Sequence, residues 1–305
     1  MMNLKPLVSI LINNYNYERF LAEALDSALS QTYSQLEIVV VDDGSKDNSQ
    51  KVINNYGDKI VSIFKKNGGQ ASAFNAGFQA SKGEIICFLD ADDYYAEDKI
   101  SQIVDLFNEN HDAGWLFHEL DDVDSQGNHL ELPREKGISE LMLANFRENL
   151  LKGHLVPMFP ATTGLCFKRD VLKQILPMPE ELLISADNFL RLAAIYLSPG
   201  LLSPDKLAVH RIHGSNLFEF RSDTEFLNAE TNIKTSYYLK NKFPETKLYA
   251  DRLYTHSFGI LAGKTTLNRA FKIPETKKYL QKFSLESWLK CSPRMIYNYA
   301  KAVIS

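Results

Sequence analysis

Asp90, Asp92 and Asp93 follow directly on the apolar run Ile85-Ile86-Cys87-Phe88-Leu89. A buried strand that ends in several acids delivers their oxygens to one point at the edge of a sheet. Unpaired, such charges repel by roughly 1 kcal/mol or more per close pair even with solvent screening. A cation is therefore expected among them, and oxygen donors favour a hard divalent ion, Mn2+ or Mg2+, of the kind that bridges a protein to a diphosphate. An isolated D-x-D is more often a solvated acidic turn, so the reading depends on what surrounds it.

The elements that must position these acids follow from the hydrophobic periodicity. Val8 to Ile12 is nearly continuous apolar sequence, as in a strand covered on both faces. Phe20, Leu21, Ala24, Leu25, Ala28 and Leu29 recur with the spacing of one helical face. Leu36 to Val41 is a second strand ending at Asp42-Asp43-Gly44-Ser45, after which Ser45 or Asp47 caps a helix to about Tyr56. Ile60 to Phe64 gives a third strand, Asn67-Gly68-Gly69 a turn, Gln70 to Ala80 a helix, and Glu84 to Leu89 a fourth strand. This alternation predicts an α/β fold, a doubly wound, mostly parallel sheet flanked by helices. Ligands on such sheets bind beyond the carboxyl ends of the strands. Asn13 to Asn16, Asp42-Asp43 and Asp90 to Asp93 all sit at such ends, so distant residues are expected to converge on one crevice.

Farther on, Ile100 to Glu109 reads as a helix, Trp115 to Phe117 as a short strand and 121–128 as an acidic loop or hairpin. Ser139 to Leu151 reads as a helix, Thr163 to Phe167 as a strand, Asp187 to Leu197 as a helix and Leu207 to Ile212 as a strand. Past Arg221 the strand signals stop, and 222–305 reads as helices separated at Pro244, Pro274 and Pro293. The expected organisation is a catalytic domain over 1–220 and a helical C-terminal extension over 221–305.

Bulk composition narrows the class. With 305 residues, 45% hydrophobic and 24% charged, the chain has ordinary globular values. A net charge of −4 provides no overall field for nucleic acid or an anionic membrane. Cys87, Cys166 and Cys291 are odd in number and far apart, which points to packing and a reducing, cytoplasmic setting rather than bridges or a metal. No signal-peptide core follows Met1, and no apolar stretch approaches the ~18 residues of a membrane span. Tyrosines and lysines in 222–305 leave room for peripheral contact at the inner face of a membrane, although packing is the plainer use for them.

Five blocks in order then carry a resemblance: Val8 to Asn16, Ala24 to Tyr33, Glu37 to Ser45, Asn67 to Gly77 and Gly83 to Asp93. Together they resemble the family 2 glycosyltransferases, densely over 7–100, more sparsely to about 216, and not over 222–305. The resemblance implies a GT-A fold and metal-dependent, inverting transfer of a sugar from a nucleoside diphosphate, UDP by default, to an acceptor hydroxyl. The acceptor could be a cell-surface glycan, a lipid-linked sugar or a small molecule.

Site residues follow from the same resemblance. Asp43, with Asp42, accepts the base N–H; Asn13 and Tyr15 line the base pocket. Asp92 and Asp93 hold the metal and the ribose hydroxyl between them, supported by Asp90. Gly68 and Gly69 allow close backbone approach, and Asn75 either reaches the nucleotide or caps packing. Asp187 is the general base, in a segment where the usual preceding Glu is Ala186. Arg211 pairs with phosphate and His213 with metal or phosphate, while Thr162-Thr163-Gly164 lies on the acceptor side and leaves room for the hydroxyl. The Gln-x-x-Arg-Trp motif of processive synthases is missing, which favours single additions.

Rival readings fare worse. A dinucleotide-binding domain needs G-x-G-x-x-G after the first strand, where this chain has Asn13-Asn14-Tyr15-Asn16, and no Walker A sequence occurs. A receiver domain would end near residue 125, and a nucleotidyltransferase would want a glycine-rich basic loop after the first strand. A catalytically inactive sugar-nucleotide-binding or scaffold protein draws its support from Ala186.

Overall fold

The structure, a computed structural model, describes residues 5–131, 137–157, 159–214, 216, 223–264 and 267–304. In chain order the elements are β1 (Val8–Asn14), α1 (Leu21–Leu29), β2 (Leu36–Asp42), α2 (Ser49–Asn54), β3 (Val61–Phe64), α3 (Gln70–Ala80), β4 (Ile85–Asp90), β5 (Tyr94–Tyr95), α4 (Lys99–Glu109), β6 (Trp115–Val123) and β7 (Met142–Ala144). They continue as α5 (Arg147–Leu151), β8 (Leu165–Lys168), α6 (Arg169–Ile175), α7 (Asp187–Leu197), β9 (Gly200–Arg211), α8 (Thr224–Lys242), α9 (Lys247–Lys264), α10 (Leu267–Ala270), α11 (Pro274–Gln281) and α12 (Leu285–Ile304). The chain divides into two compact units, one of Met1–Asn145, Met158–Leu183 and Leu197–His213, the other of Phe146–Pro157, Ile184–Tyr196 and Gly214–Ser305. The boundary read at 220 falls among residues outside the described ones.

The first unit holds a nine-stranded sheet in the order β3-β2-β1-β4-β8-β6-β9-β5, with β7 also paired to β9. β1 to β4 run parallel, as the alternation of strands and helices predicts. Both faces of these strands are covered, which is why they read as continuous apolar runs. Ile10, Ile12, Val40, Cys87 and Leu89 face the side of α1 and α4, packing with Leu21, Leu25, Ile103 and Phe107. On the opposite side Phe74 of α3 meets Phe88, ring centres 4.7 Å apart.

Beyond β4 the sheet becomes mixed. β8 is antiparallel to β4 and to β6, β6 is parallel to β9, and β5 is antiparallel to β9. Two registers bring the polar strand ends together. Asn13 and Asn14 lie beside Asp90 and Asp42 respectively. The pairing of Tyr94 with Val209 brings the end of β9 alongside Asp92 and Asp93.

Several local expectations need correction. Ser139 to Leu151 is not one helix: Met142–Ala144 pairs antiparallel with Gly200 to Leu202, and only Arg147–Leu151 is helical. Neither Ser45 nor Asp47 is the N-cap of α2. Asn48 holds that position, while the Asp47 carboxylate accepts the Ser49 N–H and the Ser45 hydroxyl accepts the Asn16 N–H. The strand expected at Trp115 to Phe117 extends to Val123, and Thr163 lies in a 3-10 turn before β8. All three cysteines are buried and unbridged.

The second unit is helical. Its centre is the buried Asp251 carboxylate, which accepts from Lys240 Nζ (2.7 Å), the Tyr279 hydroxyl (2.9 Å) and the Ser287 hydroxyl. Tyr254 stacks on Tyr279 with centroids 4.1 Å apart, inside a cluster that includes Ile233, Phe258, Leu261 and Phe283. α7 is tied to α8 by Asn188 and Asn232 (2.9 Å), and Tyr196 packs against Phe243. Pro293 lies inside α12 rather than ending a helix. Helix continuation through a proline costs about 3 kcal/mol locally, offset here by close packing on α9, where added Cβ atoms at Gly259 and Gly263 would fall 2.6 and 2.7 Å from α12.

Candidate active site

The acids after β4 are held by three separate parts of the first unit. Thr163 Oγ1 accepts the Asp90 N–H (3.1 Å) and donates its own proton to Asp93 Oδ2 (2.5 Å). The other Asp93 oxygen accepts the Arg211 N–H at 2.8 Å. Asp92 Oδ2 lies 3.1 Å from His213 Nε2, and the Asp92 carboxylate also takes a hydrogen bond from the Tyr17 hydroxyl. The His213 ring rests on Phe20 (4.6 Å) and meets the edge of Tyr17 (5.7 Å).

The Arg211 side chain is also committed. Its Nε donates to the Asp92 carbonyl (3.1 Å), its terminal nitrogen pairs with Glu23 (2.6 Å), and its guanidinium lies over the rings of Phe20 and Tyr94. The residue read as a phosphate partner thus holds the acidic turn in place from both backbone and side chain.

Beneath this turn Lys99 is wholly buried. It donates to the Thr163 carbonyl (2.7 Å) and sits 3.5 Å from the centre of the Tyr95 ring. Burial lowers its ammonium to about 8, opposed by nearby acidic groups. Burial likewise pushes the Asp93 carboxyl up to about 7; His210 works against that shift and Asp92 adds to it. The Tyr17 phenol is raised well beyond its usual range by burial and by the charges of Asp92, Asp90 and Asp93, so it remains a donor.

Among the described residues no group of three or more His, Cys, Asp or Glu could cage an ion alone. Asp92 and His213 nonetheless place an oxygen and a nitrogen donor side by side. Ions such as Mg2+ are ordinarily held by one or two protein groups, with substrate phosphates and water completing the shell. The donor set fits a cation that arrives with a diphosphate.

At the neighbouring strand tips, the Asn13 side-chain amide has both its nitrogen and its oxygen buried without a hydrogen-bond partner. Buried polar groups in native proteins are nearly always paired, so this amide at a strand tip has both a donor and an acceptor to offer. Tyr15, half-buried, lies two positions farther along the chain. The Asp42 carboxylate accepts from Asn14 Nδ2 (2.8 Å), the Ser45 N–H (3.0 Å) and Gln50 Nε2 (3.4 Å). Asp43 accepts from Lys65 Nζ (2.5 Å), the Gly68 N–H (3.0 Å) and the Gly69 N–H (2.8 Å), and so organises the 65–69 loop.

Asn75 uses both ends of its amide on Met178, donating to the carbonyl (2.9 Å) and accepting the N–H (2.8 Å). Of the two uses expected for it, packing is the one its contacts show. Gly69 has φ +82, and a Cβ there would come within 2.8 Å of the Leu183 backbone. Gly69→Ala is therefore expected to destabilise the protein by about 1–3 kcal/mol, the usual cost of such backbone strain, or more through the clash. Urea unfolding measures it, and an unchanged midpoint would contradict the geometry.

Asp187 belongs to the second unit. It opens α7, is buried, and pairs with Arg191 at 3.1 Å one turn along. A carboxylate at that position is favoured by the helix dipole. Thr162, Thr163 and Gly164 are all buried, and a Cβ on Gly164 would lie 2.7 Å from the His118 carbonyl. The glycine serves backbone packing, and the threonine hydroxyl holds Asp93 rather than leaving space.

Sequence reasoning brought Asn13, Asp42, Asp90, Asp92, Asp93, Arg211 and His213 into one unit and missed Tyr17, Glu23, Lys99 and the Thr163 hydroxyl. Asn16 carried the available signal for Tyr17. Its φ of +61 turns the chain between two tyrosines, and Asn is among the few residues that accept that conformation readily.

Known proteins are similar to this chain in sequence and in fold. The glycosyl transferase family 2 model matches residues 9–176. An uncharacterized glycosyltransferase, alr2836, of Nostoc sp. is 39% identical over 214 residues, covering 68% of this chain and 66% of that protein. An uncharacterized glycosyltransferase of Rickettsia typhi, RT0329, is 48% identical over 103 residues, 34% of this chain and 32% of its own. The matched stretch thus spans from about a third to just under two thirds of these relatives. Among solved structures, S. aureus TarS 1–349 in complex with UDP-GlcNAc has a TM-score of 0.61 at 21% identity, covering 97% of this chain and 82% of that one. The mannosyltransferase PcManGT of Pyrobaculum calidifontis, in complex with GDP-Man and Mn2+, has a TM-score of 0.52 at 19% identity, covering 98% and 87%. The fold is that of GT-A glycosyltransferases, and the extent of the match over 9–176 shows that the chain belongs to glycosyl transferase family 2.

Proposed function

We propose that this chain transfers a sugar, with inversion, from a nucleoside-diphosphate donor to an acceptor hydroxyl, assisted by Mn2+ or Mg2+. A UDP-sugar is the favoured donor, and cell-surface glycan or polysaccharide synthesis on the cytoplasmic side the favoured setting. The observation that carries the reading is the meeting of Asp92 and His213 at the acidic tip, in the same sheet whose β1 tip bears the unpartnered Asn13 amide. Support comes from TarS, solved with UDP and with UDP-GlcNAc, and from PcManGT, solved with GDP-Man and Mn2+.

In this reading Asn13 and Tyr15 bind the base. Asp43, with Asp42, accepts the base N–H; each already takes hydrogen bonds from three groups, and a carboxylate accepts about four. Asp92 and His213 would hold the cation, and Asp93, fixed by Thr163 and the Arg211 N–H, takes the ribose hydroxyl with Asp90 in support. Gly69 brings the loop backbone close. Asp187 removes the acceptor proton as the acceptor oxygen attacks the anomeric carbon on the face opposite the departing diphosphate, which inverts the centre. A bound ion would supply positive charge to stabilise that leaving group. Residues 1–220 carry the chemistry, and 221–305 support it.

Ala186, where an acid is usual, favours a second reading as a catalytically inactive sugar-nucleotide binder. Thermal shift and nucleotide-release assays against a panel of nucleoside diphosphate sugars, with and without Mn2+, decide between them, since bound ligand raises the melting point. Metal-dependent stabilisation with nucleotide release is expected. Stabilisation without turnover of any donor would favour the inactive binder, and no stabilisation by any nucleotide would reject both readings.

A further inference from the structure

α12 presents three distinct faces. Ser287, Cys291, Asn298 and Ala302 are buried, the last two beside Gly259 and Gly263 of α9. Leu285, Leu289, Ile296 and Val303 are 77%, 72%, 63% and 58% exposed. At 3.6 residues per turn these four fall within about 40° of arc, on a side the packing on α9 does not use. Trp288 and Tyr299, both exposed, border the stripe. Lys290, Arg294 and Lys301, all exposed, fall within a second arc of about 40°.

We propose that α12 docks in the plane of an anionic lipid bilayer, burying this aliphatic stripe among acyl chains with its cations among the headgroups. An aliphatic face bordered by Trp and Tyr, with Lys and Arg on the polar side, is the composition of interfacial helices. Among the described residues no helix is long and apolar enough to cross a membrane, so in this proposal α12 lies along the surface.

Charge supports lipid as the occupant. Residues 265–305 carry eight Lys or Arg against two Asp or Glu, a net +6 in a chain whose total is −4. Lys272, Lys277, Lys278 and Lys282 of that segment are exposed as well. A second copy of the chain would bring an equally basic segment against this one, whereas anionic headgroups neutralise it. The proposal is independent of the sugar chemistry, and its test needs no donor.

Vesicle flotation of the full chain, with phosphatidylcholine alone or mixed with phosphatidylglycerol, provides that test. Partitioning onto the anionic vesicles is expected to exceed that onto neutral ones by about tenfold or more and to weaken with salt. Leu289→Glu/Ile296→Glu is expected to abolish it, and Lys290→Ser/Arg294→Ser/Lys301→Ser to reduce it by about tenfold or more. Exposed positions should leave the melting point unchanged; should the first pair fail to fold, Leu289→Ser/Ile296→Ser replaces it. Equal recovery with neutral and anionic vesicles, or full binding by the folded apolar variant, would overturn the proposal. So would a concentration-dependent dimer, lost in Leu289→Glu/Ile296→Glu, in a protein that ignores vesicles.

Discussion

Asp187→Asn is expected to lower kcat by roughly 10²- to 10⁴-fold, the usual contribution of a positioned base, while nucleotide affinity stays within about twofold. The side chain opens α7, is buried, and pairs with Arg191. An amide has the same shape and can still accept from the Arg191 guanidinium, so local structure should survive. What it cannot do is take a proton from an acceptor hydroxyl. Steady-state rates alongside calorimetric titration with nucleoside diphosphate and Mn2+ separate the two effects. Unaltered turnover would remove Asp187 from the mechanism.

Asp92→Asn should produce a comparable loss by another route. The substitution replaces a carboxylate oxygen pair beside His213 by an amide, and the ion's contribution of several kcal/mol to leaving-group stabilisation corresponds to roughly 10³-fold in rate. The Mn2+ concentration for half-maximal activity should rise by at least about tenfold, which distinguishes a lost ligand from a damaged fold. In the parent protein EDTA should abolish activity and Mn2+ or Mg2+ restore it. Parent and variant with the same Mn2+ dependence would refute the assignment.

A pH series sharpens this test. Burial raises the Asp93 carboxyl to about 7, so below that pH it carries a proton and is a poorer acceptor for a ribose hydroxyl or a neighbour to a cation. Because the shift is upward, apparent Mn2+ affinity should climb as pH rises toward 7 and level off above it. Affinity that is flat between pH 5.5 and 8 would contradict a role for Asp93 beside the ion.

The strand tips were legible because a parallel strand buried on both faces leaves an unbroken apolar run, and the polar residue that ends it is conspicuous. Asn13, Asp42 and Asp90 could each be placed this way. Tyr17 could not, since its direction depends on a single left-handed residue at Asn16. Nor could the pairing of Arg211 with Glu23, made by residues 188 apart in sequence. β7 was hidden because three residues at a sheet margin leave no alternation to detect. Pro293 misled because a stripe of small contacts on α9 outweighs a local preference for breaking the helix. Asn75 shows the same limit at a single side chain, as its choice between nucleotide and packing depends on Met178, 103 positions away.

The second unit is woven from three separate stretches of chain, and α7, which bears Asp187, is fastened to α8 through Asn188 and Asn232 and to the end of that helix through Tyr196 and Phe243. A nonsense codon ahead of α8 would therefore strip the supports from a helix encoded well upstream of it. The trailing helices act as scaffolding for that aspartate, which makes them a poor place to trim when shortening the gene.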